Sequence, residues 1–203
     1  MPELPEVETI ARNLRTGSET SPALEGCTIQ SVEVLWPRTA ATPPASEFDS
    51  VLSGQQILRV GRRAKFLKLD ITRGTLLVHL RMSGDLRVEQ ETSVVQPHDR
   101  AIFHLEDGWK LVFNDARKFG RIWYTPSPED VLGHLGPEPL DEAFTAAEFY
   151  QRLITHRRQL KPLLLDQSFL AGLGNIYADE SLHMAKLHPN RLSDTLTLQQ
   201  AES

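Results

Sequence analysis

FLKLDITRGTLLVHL, residues 66–80, decides the reading of the fold. Two short apolar runs, Phe66–Ile71 and Thr75–Leu80, flank a break that contains a glycine. They are too short for membrane spans, and their leucine, isoleucine and valine content points to β-strands of a packed sheet. Similar runs lie on either side. Thr28–Trp36 alternates through Ile29, Val32 and Val34, and Ile57–Val60 follows it. After the quoted stretch come Ala101–Leu105, Lys110–Phe113 and Gly120–Tyr124. Glu106-Asp107-Gly108 is a hairpin turn signal between two of them. Many short strands separated by turn residues predict a small antiparallel sandwich or barrel.

Outside this region the periodicity becomes helical. Leu4, Val7, Ile10, Ala11 and Leu14 recur at helical spacing, with Pro5 tolerated in the first turn. Residues 17–27 read as loop. The character changes again at Thr125-Pro126-Ser127-Pro128, a linker signal. Beyond it, Thr145-Ala146-Ala147-Glu148 is a capping box for a helix to about His156. Pro162 sits early in a second helix with Leu163, Leu164 and Leu165. Asn175 is placed to cap a third helix ending near Leu187, and Thr197-Leu198-Gln199-Gln200 starts another. The expected class is α+β: an N-terminal helix plus antiparallel β-sandwich over residues 1–125, then a helical domain over 126–203.

Composition narrows the function classes. A hydrophobic fraction of 40% is ample for a buried core. No apolar run approaches the ~18 residues of a membrane helix, and the acidic start MPELPEVET lacks the apolar region of a signal peptide. One cysteine, Cys27, fits a reducing cytoplasm and can form neither an internal disulfide nor a thiolate metal site alone. The formal net charge is -5, which by itself argues against nucleic acid. Between Ile57 and Thr125, however, 13 Lys and Arg face 8 Asp and Glu, so one basic segment lies inside an acidic chain.

The chemistry-bearing residues begin at the N-terminus. A small residue after Met1 favours removal of the initiator and leaves Pro2 as a terminal secondary amine. Its pKa is far below that of lysine (about 8 for a model α-amine), so more of it is unprotonated near neutrality. Such an amine attacks a carbon of aldehyde character and forms an iminium. Glu3 stands next to it as acid or base.

PELPEVE at 2–8, GRRAK at 61–65, HLRMSGDL at 79–86, DARKFG at 115–120, LGPEPL at 135–140 and GLGNIYADE at 172–180 occur in order. Together they resemble the formamidopyrimidine-DNA glycosylases, bacterial enzymes that repair oxidised purines in DNA. The resemblance runs from residue 2 to the last residue of the sequence. It implies that Pro2 attacks C1′ of the damaged nucleotide, expels the base and cleaves the strand by β,δ-elimination. It makes Glu3 the proton donor to sugar and leaving group, Glu6 a supporting carboxylate at the site, and Lys65 the lysine that meets phosphate beside the lesion. Met82, Arg117 and Phe119 match the wedge that fills the gap left by an extruded nucleotide. Arg117 also counts among the DNA contacts, with His98, Lys161 and Asn175 on the DNA backbone, the last two in a helix-two-turn-helix region. The implied partner is duplex DNA carrying an oxidised purine or an abasic site, and the reaction needs no cofactor. Leucine at position 4 favours the purine branch over relatives with PEGPE.

The family continues past residue 203 into a four-cysteine zinc finger, which this sequence lacks, so zinc is expected only in a longer form. The helical domain therefore reads as incomplete. A non-catalytic damage binder and an inactive fragment are the competing expectations. Monomer is the default, since nothing in the sequence points to self-association.

Overall fold

The computed structural model describes residues 1–202. The chain divides into two compact units, Met1–Val131 and the remainder from Leu132. In the first unit helix α1 (Leu4–Thr16) is followed by β1 (Ile29–Val34), β2 (Ala40–Thr42), helix α2 (Phe48–Leu52), β3 (Ile57–Arg63), β4 (Phe66–Ile71) and β5 (Gly74–His79). Strands β6 (Gly84–Gln90), β7 (Asp99–Leu105), β8 (Trp109–Asp115) and β9 (Arg121–Thr125) complete it, and helix α3 (Glu129–Leu132) follows.

The strands form two sheets, ordered β1-β7-β8-β6 and β2-β9-β5-β4-β3. Every pairing is antiparallel except the short parallel contact of β2 with β9. Strand β5 lies between β4 and β9, and its residues from Thr75 to His79 are all buried. That accounts for its unbroken apolar run, since a strand covered on both faces has no solvent side to alternate with. Side chains of both sheets share one core, among them Val60, Leu69, Leu76 and Val78 from one and Phe103, Leu111 and Phe113 from the other. Helix α1 adds Val7, Ala11 and Leu14 to it and packs on β3. Asp107 takes a left-handed conformation (φ 62°) in the β7–β8 turn, as expected of an Asp-Gly hairpin.

The second unit contains α4 (Ala146–Ile154), α5 (Leu160–Leu164), α6 (Asn175–Met184) and α7 (Leu198–Glu202). The capping box of α4 forms as its sequence predicts: the Glu148 amide donates to Thr145 Oγ1 at 3.2 Å, and the Thr145 amide to Glu148 Oε2 at 3.0 Å. Leu153, Leu160, Leu163, Phe169, Leu170 and Leu182 make its core. Two expectations for α6 change. The cap position is held by Gly174, in an extended conformation, and Asn175 is the first helical residue. The helix stops at Met184 rather than Leu187, because Lys186 turns left-handed (φ 54°) and the Leu187 amide closes back onto Leu182 O at 2.9 Å.

Candidate functional site

The start of α1 is unusual in what it buries. Glu3 is its cap residue and is 1% exposed, while Met1 beside it is 40% exposed and Pro2 half-buried. Helix ends leave amides without partners. Here Glu6 Oε2 accepts the Glu3 amide at 2.9 Å, and the Val7 amide closes the first turn onto Glu3 O at 3.0 Å. Glu6 thus braces the backbone of the residue next to Pro2, and its side chain faces solvent.

Lys65 lies in the turn between β3 and β4, next to Ala64, which is left-handed (φ 51°). Lys65 is only 6% exposed. Burial pushes its ammonium pKa down, and the negative charge of Glu3 pulls it back up. An acid and a base distant in sequence therefore act on one another at the head of α1. Buried charges persist only where such a partner offsets their desolvation.

A third group joins them that sequence reasoning passed over. His79, the last residue of β5, sits opposite Phe66 in the β4–β5 ladder, with its ring edge-on to the phenyl at 4.7 Å. Its Nδ1 accepts the Arg81 amide at 3.0 Å, so the neutral ring carries its proton on Nε2. Burial, then Arg81 and Lys65, push its pKa from 6.5 down to about 3. The signal was its place in the HLRMSGDL segment, but burial of a strand-end histidine is invisible in composition.

The sign of this shift gives a prediction. The folded pKa lies below the unfolded one, so as the pH falls the unfolded chain takes up the proton first. Stability contributed by neutral His79 is present above pH 6.5 and is lost as the pH falls toward 3. Between pH 7 and pH 5 the protein is expected to lose about 2 kcal/mol more than its His79→Gln variant. Urea titrations of both proteins at the two pH values measure the difference, and equal losses refute it.

The expected wedge residues lie at exposed loop tips, not in the core. Met82 is 43% exposed and Phe119 is 53% exposed. The Arg117 guanidinium stacks over the Phe119 ring at 5.2 Å, and Lys118 lies over Trp36 at 4.0 Å. His98 is exposed, and its Nδ1 meets Arg100 Nη2 at 3.3 Å. All of these belong to the first unit, with Glu3, Lys65 and His79. In the second unit Asn175 is exposed at the N-terminal end of α6, where backbone amides favour anions. Lys161 pairs with Asp179 of that helix at 2.7 Å.

Among the described residues no group of three His, Cys, Asp or Glu side chains converges to hold a metal, and Cys27 is the one cysteine of the sequence. The residues present do not fit a four-cysteine zinc site. Among the described residues, too, no helix is long and apolar enough to cross a membrane.

Residues 1–122 match the formamidopyrimidine-DNA glycosylase N-terminal domain, and residues 135–203 match the formamidopyrimidine-DNA glycosylase H2TH domain. The formamidopyrimidine-DNA glycosylase of Pelotomaculum thermopropionicum is 46% identical over 202 residues, covering 97% of this chain and 71% of the relative. That of Heliobacterium modesticaldum is 44% identical, covering 97% and 72%. Among solved structures, Lactococcus lactis Fpg in complex with DNA containing an abasic site superposes with a TM-score of 0.89 at 32% identity, over 99% of this chain and 73% of that one. The same protein in complex with DNA containing N7-benzyl-Fapy-dG gives 0.88 at 34% identity, over 99% and 74%. With both domains matched in order and most of each relative covered, the chain belongs to the formamidopyrimidine-DNA glycosylase family.

Proposed function

We propose that the protein is a DNA glycosylase and abasic-site lyase that excises oxidised purines, 8-oxoguanine and formamidopyrimidines, from duplex DNA through its N-terminal proline. The observation that carries this reading is the buried Glu3–Lys65 pair at the head of α1, directly beside Pro2. The exposure of Met1 leaves the initiator open to removal, which frees the proline nitrogen. The relatives' names support glycosylase activity, and the Lactococcus lactis complexes, with DNA containing an abasic site or N7-benzyl-Fapy-dG, support damaged DNA as the partner.

The chemistry follows from these groups. The proline lone pair forms a bond to C1′, the bond from C1′ to the base breaks, and its electron pair leaves with the base, which takes up a proton. The bonded nitrogen gives up its proton, Glu3 protonates the sugar ring oxygen as the C1′–O4′ bond breaks, and the nitrogen lone pair so freed completes the iminium. Loss of a C2′ proton then expels the 3′ phosphate, and a second elimination expels the 5′ phosphate. Lys65 offers its ammonium to the phosphate beside the lesion, and burial makes that charge worth more than it would be in water. Met82, Arg117 and Phe119 fill the vacated stack. Asn175 and Lys161 hold the backbone, as does His98.

Borohydride trapping tests the reading. Incubated with a duplex carrying one 8-oxoguanine opposite cytosine, the protein is expected to yield a reduced covalent adduct whose mass maps to Pro2 and lacks Met1. A folded protein that forms no adduct, on this duplex or on one with a preformed abasic site, is not such an enzyme.

A further inference from the structure

Asp115 is the last residue of β8 and is completely buried, yet it is not part of the reacting group. Its Oδ1 accepts the Ser83 hydroxyl at 2.5 Å and the Arg117 amide at 3.1 Å. Its Oδ2 accepts the Gly120 amide at 2.7 Å. Its backbone amide donates to His98 O at 2.9 Å, and its carbonyl accepts Arg100 Nε at 2.8 Å. Arg100 in turn reaches Pro97 O and His98 Nδ1, each at 3.3 Å. The Ser83 hydroxyl also accepts the Arg117 amide at 3.3 Å. One residue therefore touches three separate loops, those carrying Met82, His98, and Arg117 with Phe119.

The loops need such a tie. Met82 follows Arg81 (φ 56°), and Lys118 (φ 61°) separates Arg117 from Phe119, so each wedge tip contains a non-glycine residue in the left-handed region. Conformations of that kind persist only where the surroundings fix them. Gly120 shows how tight the fixing is, because a Cβ there would run into the Phe113 ring and lie 3.2 Å from Asp115 Oδ2. Glycine lets this amide reach the carboxylate without displacing the Phe113 ring.

We propose that Asp115 is the positioning residue that locks the three loops into one preorganised unit, through which the wedge enters the duplex. This rests on the glycosylase reading above. It adds that Asp115 and Ser83 serve lesion capture rather than the chemistry at Pro2. A wedge that must open a base stack gains from being rigid before contact, since ordering it on binding would be subtracted from affinity.

The test compares the full chain with its Ser83→Ala, Ser83→Thr and Asp115→Asn variants. Each is assayed on an 8-oxoguanine duplex and on a preformed abasic duplex. A 2-aminopurine placed next to the lesion reports unstacking. Ser83→Ala is expected to raise KM on the lesion duplex about tenfold, the loss of one hydrogen bond to a charged group, and to reduce the 2-aminopurine signal. Its kcat on the abasic duplex should stay within about twofold of the parent. Ser83→Thr keeps the hydroxyl and restores the parent values. Asp115→Asn goes further, to about a hundredfold, because it weakens ties to both wedge loops. Variants that match the parent in KM and in 2-aminopurine signal overturn the proposal, as do variants that lose both substrates' kcat equally. A parent that forms no borohydride adduct sinks the glycosylase reading and this inference with it. A trapping parent with indifferent variants sinks this inference alone.

Discussion

A protein carrying one extra residue ahead of Pro2 is expected to form no borohydride adduct and to excise no base, while folding as the parent does. The added residue converts the proline nitrogen into an amide, whose lone pair is delocalised into the carbonyl and cannot attack carbon. The expected fall in single-turnover rate is at least about 10³-fold, the scale on which a covalent nucleophile is lost. Pro2→Gly keeps a free amine but loses the secondary nitrogen and its fixed ring, and is expected to be comparably inactive. Folding is spared because Met1 is exposed and Pro2 only half-buried, so an added residue projects toward solvent. Thermal melting monitors that control. Full excision by the extended protein would rule out Pro2 as nucleophile whatever else the enzyme does.

The second large effect belongs to Glu3→Gln. The amide is nearly isosteric and keeps a carbonyl acceptor, but it can no longer deliver a proton, which is expected to lower excision by about 10²–10⁴-fold. A second consequence follows from its neighbour. Burial lowers the Lys65 pKa and Glu3 raises it, so removing the carboxylate charge takes away a raising influence. Lys65 in the variant then becomes neutral at a lower pH than in the parent. DNA affinity of Glu3→Gln should decline earlier as the pH rises from 7 toward 10, and the salt dependence of binding should weaken with it, since one fewer phosphate is neutralised. Fluorescence anisotropy at three salt concentrations across that range reads both. A variant whose binding tracks the parent's at every pH would show that the two groups are not coupled.

Much of this was legible in the sequence, and what was missed has physical reasons. Strands β4 and β5 could be read from FLKLDITRGTLLVHL because a strand with two buried faces keeps an apolar run. Strand β6 was overlooked, because Asp85, Arg87 and Glu89 alternate with Leu86 and Val88 on a half-solvated strand that sequence alone reads as polar loop. Strand β2 is three residues long and too short for any periodicity, and its parallel pairing with β9 is set by tertiary packing. At the site, Pro2, Glu3 and Lys65 came from motif and resemblance. The burial that couples Glu3 to Lys65, and the neutral state of His79 beside them, depend on which side chains close over them in three dimensions. Asp115 had a motif position but no visible role, since its partners come from loops around residues 83, 98 and 120.

The order of the chain adds a last consequence. Helix α1 precedes every strand it packs on, and Lys65 and His79 lie far downstream of Glu3. During synthesis Pro2 and Glu3 emerge well before β3, β4 and β5, so Lys65 and His79 reach the head of α1 only after those strands have been translated. On the mechanism proposed above, the attacking amine is thus made early and gains its charged neighbours late.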